Sequence, residues 1–253
     1  MPERDLHAEP FHTLVTLGES HVAGMCATRE DRRWVSIVAR LISDYQGLPV
    51  ALHNRGIGAN AISPRSPGYA CSAQPSALER YREEVIALRP DLFLLSYGLN
   101  DMRAGMPPED FRQDMAEIVT QVQAACRPVT VLTTVYHVSA YDWYPPYDRG
   151  SVAATQVYNL VIRQLAHEHG CLLADIWEAQ GQADWLIHPD TVHANDLGHA
   201  LIAHRVFETI AHHCSGVATR ITAELTPDRE QVLRTLDQRR RPQQYGGPQG
   251  GNP

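Results

Sequence analysis

The sequence predicts an α/β protein: a three-layer α/β/α sandwich around a five-stranded parallel sheet, flavodoxin-like in order (2-1-3-4-5). Short apolar runs of strand length alternate with stretches whose apolar residues recur at helical spacing, which is the pattern of a parallel sheet covered by helices. Leu92 to Tyr97 (LFLLSY) is apolar throughout, as expected of a strand buried on both faces. Polar turns, most of them containing glycine, follow several of the strands, on the rim where open α/β sheets bind ligands. The alternation gives the class; the order of the five strands is suggested by their number alone.

His12 to Leu17 reads as the first strand, broken by Gly18-Glu19-Ser20, with Gly18 expected to permit a sharp turn. Arg32 to Tyr45 carries Trp34, Val35, Ile37, Val38, Leu41 and Ile42 on a helical stripe. Pro49 to Asn54 is a short second strand that runs into Arg55-Gly56-Ile57-Gly58-Ala59-Asn60. Ser76 to Leu88 is a helix ended by Pro90-Asp91, and strand three follows, closed by Gly98-Leu99-Asn100-Asp101. Pro107 to Ala125 is helical, Val129 to Val135 is strand four, and Tyr136 to Gly150 is a loop with five aromatics and two prolines. Ser151 caps a helix to about His169, Cys171 to Ile176 is strand five, and a last helix runs from about Leu197 to His213. Residues 1–215 are expected to form the α/β domain. Residues 216–253 form an extension, with a charged helix over 226–240 and a disordered Pro/Gly/Gln tail from Arg241.

Composition narrows the chemistry. With 253 residues and 43% hydrophobic content, the chain can bury a substantial core. Its formal net charge of -7 offers no basic surface for nucleic acid or anionic membrane. All 22 basic residues are arginine, so Schiff-base chemistry, a P-loop lysine and a Ser–Lys dyad are excluded. The 5 cysteines lie far apart and form no C-x-x-C pair, so buried reduced thiols are expected. The charged N-terminus and the lack of an 18-residue apolar run predict a soluble cytoplasmic protein with no membrane span. The oligomeric state is left open.

Serine hydrolysis needs a hydroxyl, an imidazole, a carboxylate that orients the imidazole, and donors for the oxyanion. Asp190-Thr191-Val192-His193 supplies carboxylate and imidazole from one turn, with a spacing that lets the carboxylate reach Nδ1 while Nε2 faces a hydroxyl elsewhere. Four blocks carry the polar residues: Gly18 to Ser20, Gly56 to Asn60, Gly98 to Asp101, and Asp190 to His193. In this order they resemble the SGNH (GDSL-type) hydrolase family of esterases and lipases, from about Thr13 to Ala211.

The resemblance implies an SGNH hydrolase fold over 1–215, with Ser20 as nucleophile, His193 as general base and Asp190 as its orienting partner. The Asn100 amide and the backbone N–H groups of Ser20 and Ala59 would form the oxyanion hole. It also implies a small-molecule ester substrate (acetyl-sugar and lipid-type esters included) and no cofactor or metal. Departures from the family pattern are Glu19 in place of Asp, Ala59 where a glycine is usual, and Ala194 where Pro often follows the histidine. An acyltransferase using the same acyl-enzyme, or a non-catalytic binding module, are the competing expectations. Gly58, Tyr136, Trp143, Tyr144 and His188 are candidates for substrate contact. The aromatics could equally pack over the sheet, and His188 could be a solvated loop residue. Asp101 suits a helix cap or a structural acceptor. His199, His204, His212 and His213 fit no zinc spacing and read as a polar helix face.

Overall fold

The computed structural model describes residues 5–224 and 229–240 of the protein. Strand β1 (Thr13–Gly18) leads through a single-turn helix α1 (Ser20–Ala23) into α2 (Trp34–Gln46), and β2 (Ala51–Gly56) follows. Then come α3 (Ala77–Glu84), β3 (Leu92–Ser96), the short α4 (Leu99–Arg103), α5 (Pro108–Cys126) and β4 (Val129–Thr133). The second half holds α6 (Val152–Glu168), β5 (Leu172–Ala174), α7 (Ile176–Gln180), α8 (Asp196–His213), α9 (Thr219–Glu224) and α10 (Arg229–Arg240). The five strands are all parallel, in the order β2-β1-β3-β4-β5. β1 is thus flanked on both sides, with Leu14 opposite Leu52 on one neighbour and Leu92 on the other. Helices α2 and α8 pack together, and α5 packs with α3 and α6, which gives the two outer layers.

Local chemistry explains where the elements begin and end. Ser76 starts α3 through a capping box, its N–H and hydroxyl both donating to Glu79 at 2.8 and 2.7 Å. That helix is shorter than expected: Val85 leaves helical backbone, and Ile86–Leu88 continue as a 3-10 turn. Ser151 accepts from the Ala154 N–H and caps α6 as expected. Strand five ends early because Asp175 accepts from the Glu178 N–H and turns Ile176 into the first residue of α7. The core joins both layers to the sheet, with Trp34, Leu14, Leu17, Phe93, Phe111 and Ile162 fully buried.

Two expectations are corrected by packing. His199 does not lie on a polar helix face; it is fully buried, and its Nε2 donates to the Met25 carbonyl at 3.0 Å. All five cysteines are free, but only Cys214 is buried and Cys71 is exposed.

The packed body runs on through the 215/216 boundary. Gly216 N–H donates to the His7 carbonyl at 3.0 Å, Val217 belongs to the core, and Thr219 donates to the Gln46 carbonyl at 3.2 Å. A helix does occupy Arg229–Arg240; residues 226–228 and the tail from Arg241 lie outside the described residues. Among the described residues, no helix is long and apolar enough to cross a membrane.

Candidate active site

Three strand ends and one distant turn converge at the carboxyl rim of the sheet. Gly18 is required here for space, not for an unusual backbone: a Cβ would lie 2.1 Å from Val22 Cγ2 and 2.7 Å from the Ser96 carbonyl oxygen. The glycine therefore lets β1, α1 and the end of β3 meet closely. Ser20 opens α1, and its Oγ lies 2.8 Å from His193 Nε2. On the other side of the ring, His193 Nδ1 lies 2.6 Å from Asp190 Oδ2.

The Asp190–His193 turn is built around its own carboxylate. Asp190 Oδ1 accepts the N–H groups of Val192 and His193, both at 3.0 Å. Thr191 takes φ +68°, a strained conformation for a β-branched residue. Its carbonyl accepts the Ser139 N–H at 2.9 Å, which ties the aromatic loop to the turn. Cys26, on the Ser20 side, donates its thiol to Asp190 Oδ2 at 3.1 Å. Burial pulls the Asp190 carboxyl upward, but hydrogen bonds from His193, Val192 and Cys26 outweigh it and hold the group well below the usual carboxylate range. The Cys26 thiol is pushed up to about 12 by burial and by Asp190, so it stays protonated as a donor.

The Gly98–Asp101 block turns at Gly98, whose φ of +130° is open to glycine alone, and starts α4. Asn100 Nδ2 donates to the Asn60 carbonyl at 3.0 Å. Asn60 is itself buried and anchored: its amide donates to the carbonyls of Ala73 and Pro75, and its oxygen accepts from Tyr97. Ala59, just before it, has φ +51°, the conformation for which the family pattern supplies a glycine. Asp101 is fully buried and accepts the Ile62 N–H at 3.2 Å from either oxygen, so it is a structural acceptor between two blocks.

Glu19 links the Ser20 turn to the same block. Its carboxyl is buried, with Oε1 accepting the Leu99 N–H at 2.9 Å and Oε2 the Asn100 N–H at 3.1 Å. Burial, reinforced by Asp101, pushes this carboxyl up to about 8.

A cleft of about 390 Å³ opens over Ser20 and His193, lined also by Met25, Gly58, Ala59, Asn100, Arg103 and Val192, with Trp143, Tyr144 and Tyr147 as its aromatic wall. Of the expected contact residues, Gly58, Trp143 and Tyr144 therefore face the cleft. Tyr136 does not: it is buried behind Ser20, its ring stacked on His21 at 4.0 Å between centroids. His188 lies outside the cleft wall as well, where its Nδ1 accepts the Asp190 N–H at 3.2 Å.

Sequence reasoning missed Cys26 and Arg103. Arg103 was visible in principle, because it follows Asn100 by three residues and so shares its face of a helical turn. Cys26 had no comparable signal, since its partner is 164 residues away. Cys26, Asp190 and His193 are also near enough to hold an ion, but the hydrogen bonds already described account for their approach.

None of the curated proteins matches the sequence. Solved structures do. An α/β hydrolase enzyme, LAE5, from the Lake Arreo metagenome aligns with a TM-score of 0.64 at 20% identity, over 82% of this chain and 98% of that one. The acetylxylan esterase Axe2 from Geobacillus stearothermophilus aligns at 0.61 and 19%, over 81% and 96%. The psychrotrophic esterase EstA from Pseudoalteromonas sp. aligns at 0.60 and 19%, over 79% and 97%. These likenesses bear on the fold. The sequence itself matches the model of the GDSL-like Lipase/Acylhydrolase family over residues 16–201, which include all four blocks. The chain belongs to that family and is a serine esterase of the SGNH type.

Proposed function

We propose that the protein cleaves small carboxylic esters through an acyl-Ser20 intermediate. The observation that carries this reading is the unbroken line from Ser20 Oγ through the His193 ring to Asp190, at 2.8 and 2.6 Å. In the first half-reaction Ser20 Oγ attacks the ester carbonyl while His193 Nε2 takes its proton. Asp190 holds the ring so that Nδ1 keeps its hydrogen and stabilises the imidazolium that forms. The tetrahedral intermediate collapses when His193 returns the proton to the leaving alkoxide, and the alcohol departs. Water then attacks the acyl-enzyme by the same route, releasing acid and restoring Ser20.

The oxyanion is assigned to the Asn100 amide and the N–H groups of Ser20 and Ala59. Asn100 uses one amide hydrogen on the Asn60 carbonyl, which fixes its rotamer and leaves the other free. Donors held in advance need no reorganisation as charge develops, and that is the main source of their effect. Trp143, Tyr144 and Tyr147 would receive the part of the substrate beyond the reacting carbonyl. Axe2 is named for acetylxylan, and an acetyl ester on a ring that stacks against this aromatic wall suits the cleft.

The test is a panel of p-nitrophenyl esters of increasing chain length, with Ser20→Ala as control and fluorophosphonate labelling read by intact mass. One covalent adduct, lost in Ser20→Ala together with nearly all turnover, is expected. Turnover that persists in folded Ser20→Ala protein overturns the mechanism.

A further inference from the structure

Arg103 is a charged residue of the cleft wall, and among the described residues it has no salt bridge or side-chain hydrogen bond. The residue is only 2% exposed, yet it lines the cleft with Ser20, Asn100 and His193. Its Nε and Nη2 are buried without a hydrogen-bond partner, and among the described residues no carboxylate pairs with it. Arg80, equally buried, also has an unpartnered Nε, but its two Nη groups are bonded to Glu84, Tyr97, Asn60 and backbone carbonyls. A buried guanidinium with idle N–H groups is costly, and one that lines a cleft is placed to be completed by a ligand.

The surroundings of Arg103 keep its charge available. Its guanidinium carbon lies 4.1 Å from the centroid of the Trp143 ring, which supports one face of the plane and makes no hydrogen bond to its N–H groups. The nearest acidic influence is Glu19, which is bonded to Leu99 and Asn100 instead and is pushed up to about 8, so it supplies little negative charge at neutral pH. Among the described residues, no aspartate or glutamate lines the cleft. A chain with formal net charge -7 thus carries a bare cation beside its nucleophile.

We propose that Arg103 is a specificity residue that binds an anionic group of the substrate, so that the preferred ester carries a carboxylate or similar oxyanion near the scissile bond. The proposal rests on the hydrolase reading above. A guanidinium fork suits a carboxylate, and such charge-assisted bonds are stronger in a site shielded from water.

The experiment measures kcat/KM for two matched pairs. One pair is p-nitrophenyl hemisuccinate against p-nitrophenyl butyrate, with the charge on the acyl side. The other is 4-acetoxybenzoate against 4-acetoxybenzamide, with the charge on the alcohol side. The wild-type protein should prefer the anionic member of at least one pair, and that pair tells which side of the ester the anion occupies. In Arg103→Met the preference should fall by about 10- to 100-fold, the range for losing a charge-assisted bond; Arg103→Lys should keep part of it. No preference in either pair, or one unchanged in Arg103→Met, overturns the proposal. Should Arg103→Met fail to fold, inhibition of wild-type p-nitrophenyl acetate cleavage decides. Benzoate must then compete at least about tenfold better than benzamide, and equal inhibition overturns the proposal. Loss of cleavage in Ser20→Ala stands or fails separately, so the two readings are distinguishable.

Discussion

Replacing Glu19 tests whether the Ser20 turn and the Asn100 block are one unit. The two carboxyl oxygens accept two different backbone N–H groups, at 2.9 and 3.1 Å, in a buried position. Glu19→Gln keeps the shape but offers one oxygen and one NH2 group. One backbone N–H then faces a donor, at a cost of about 1–3 kcal/mol. Glu19→Ala strands both, for roughly 2–6 kcal/mol, partly offset because no carboxyl has to be buried. The loss should reach catalysis too, since Asn100 lies in the first turn of α4 and its side chain moves with that backbone. We expect kcat to fall toward the 10²–10³ scale of a lost oxyanion donor, with a smaller change in KM. Urea unfolding and p-nitrophenyl acetate kinetics measure the two effects together. A folded Glu19→Ala protein within about 0.5 kcal/mol of wild type, with unchanged kcat, would refute the reasoning.

Other predictions concern strain, protons and the chain end. Ala59→Gly relieves a positive φ by about 1 kcal/mol but loosens the unfolded chain by a similar amount. Its melting temperature and kcat should stay near wild type, whereas Ala59→Pro removes the N–H, fixes φ and should abolish turnover in a folded protein. His21 is fully buried with both ring nitrogens unbonded, and burial lowers its pKa well below the usual value. Below about pH 6.5 the unfolded chain takes up a proton that the native state refuses, so stability should fall as the pH drops. Melting curves between pH 7 and 5 should show a shallower acid loss for His21→Phe than for wild type. Ending the chain after Ser215 removes buried Val217, worth about 1.5–3 kcal/mol, and should lower the melting temperature more than ending it after Glu224.

Much of this architecture is written in local patterns. The apolar runs and helical stripes mark the strands and longer helices because burial on a given face forces a given period. The Asp190–His193 pair was legible because its partners sit in one turn. What escaped depends on distant neighbours. The single-turn helices α1, α4 and α7 are too short to show a period, and they form because strand ends and caps fix them. The aromatic loop shows the same limit: its composition gives no sign that Tyr136 stacks on His21 while Trp143 supports Arg103. Glu19 looks in the sequence like a blemish in a motif, and only the fold reveals its two backbone partners.

Ser20 and His193 are separated by 173 positions, and this spacing has a consequence for the nascent protein. Strand β1 and the serine after it are made before β2 and β3, and β1 cannot be flanked until both of those strands exist. The imidazole arrives last, on the turn before α8. At synthesis rates of about 5–20 residues per second, roughly 10–35 s pass between the two. During that time the serine lacks the imidazole that the proposed mechanism requires. Activity should therefore appear abruptly, once the turn that carries His193 docks beside Ser20.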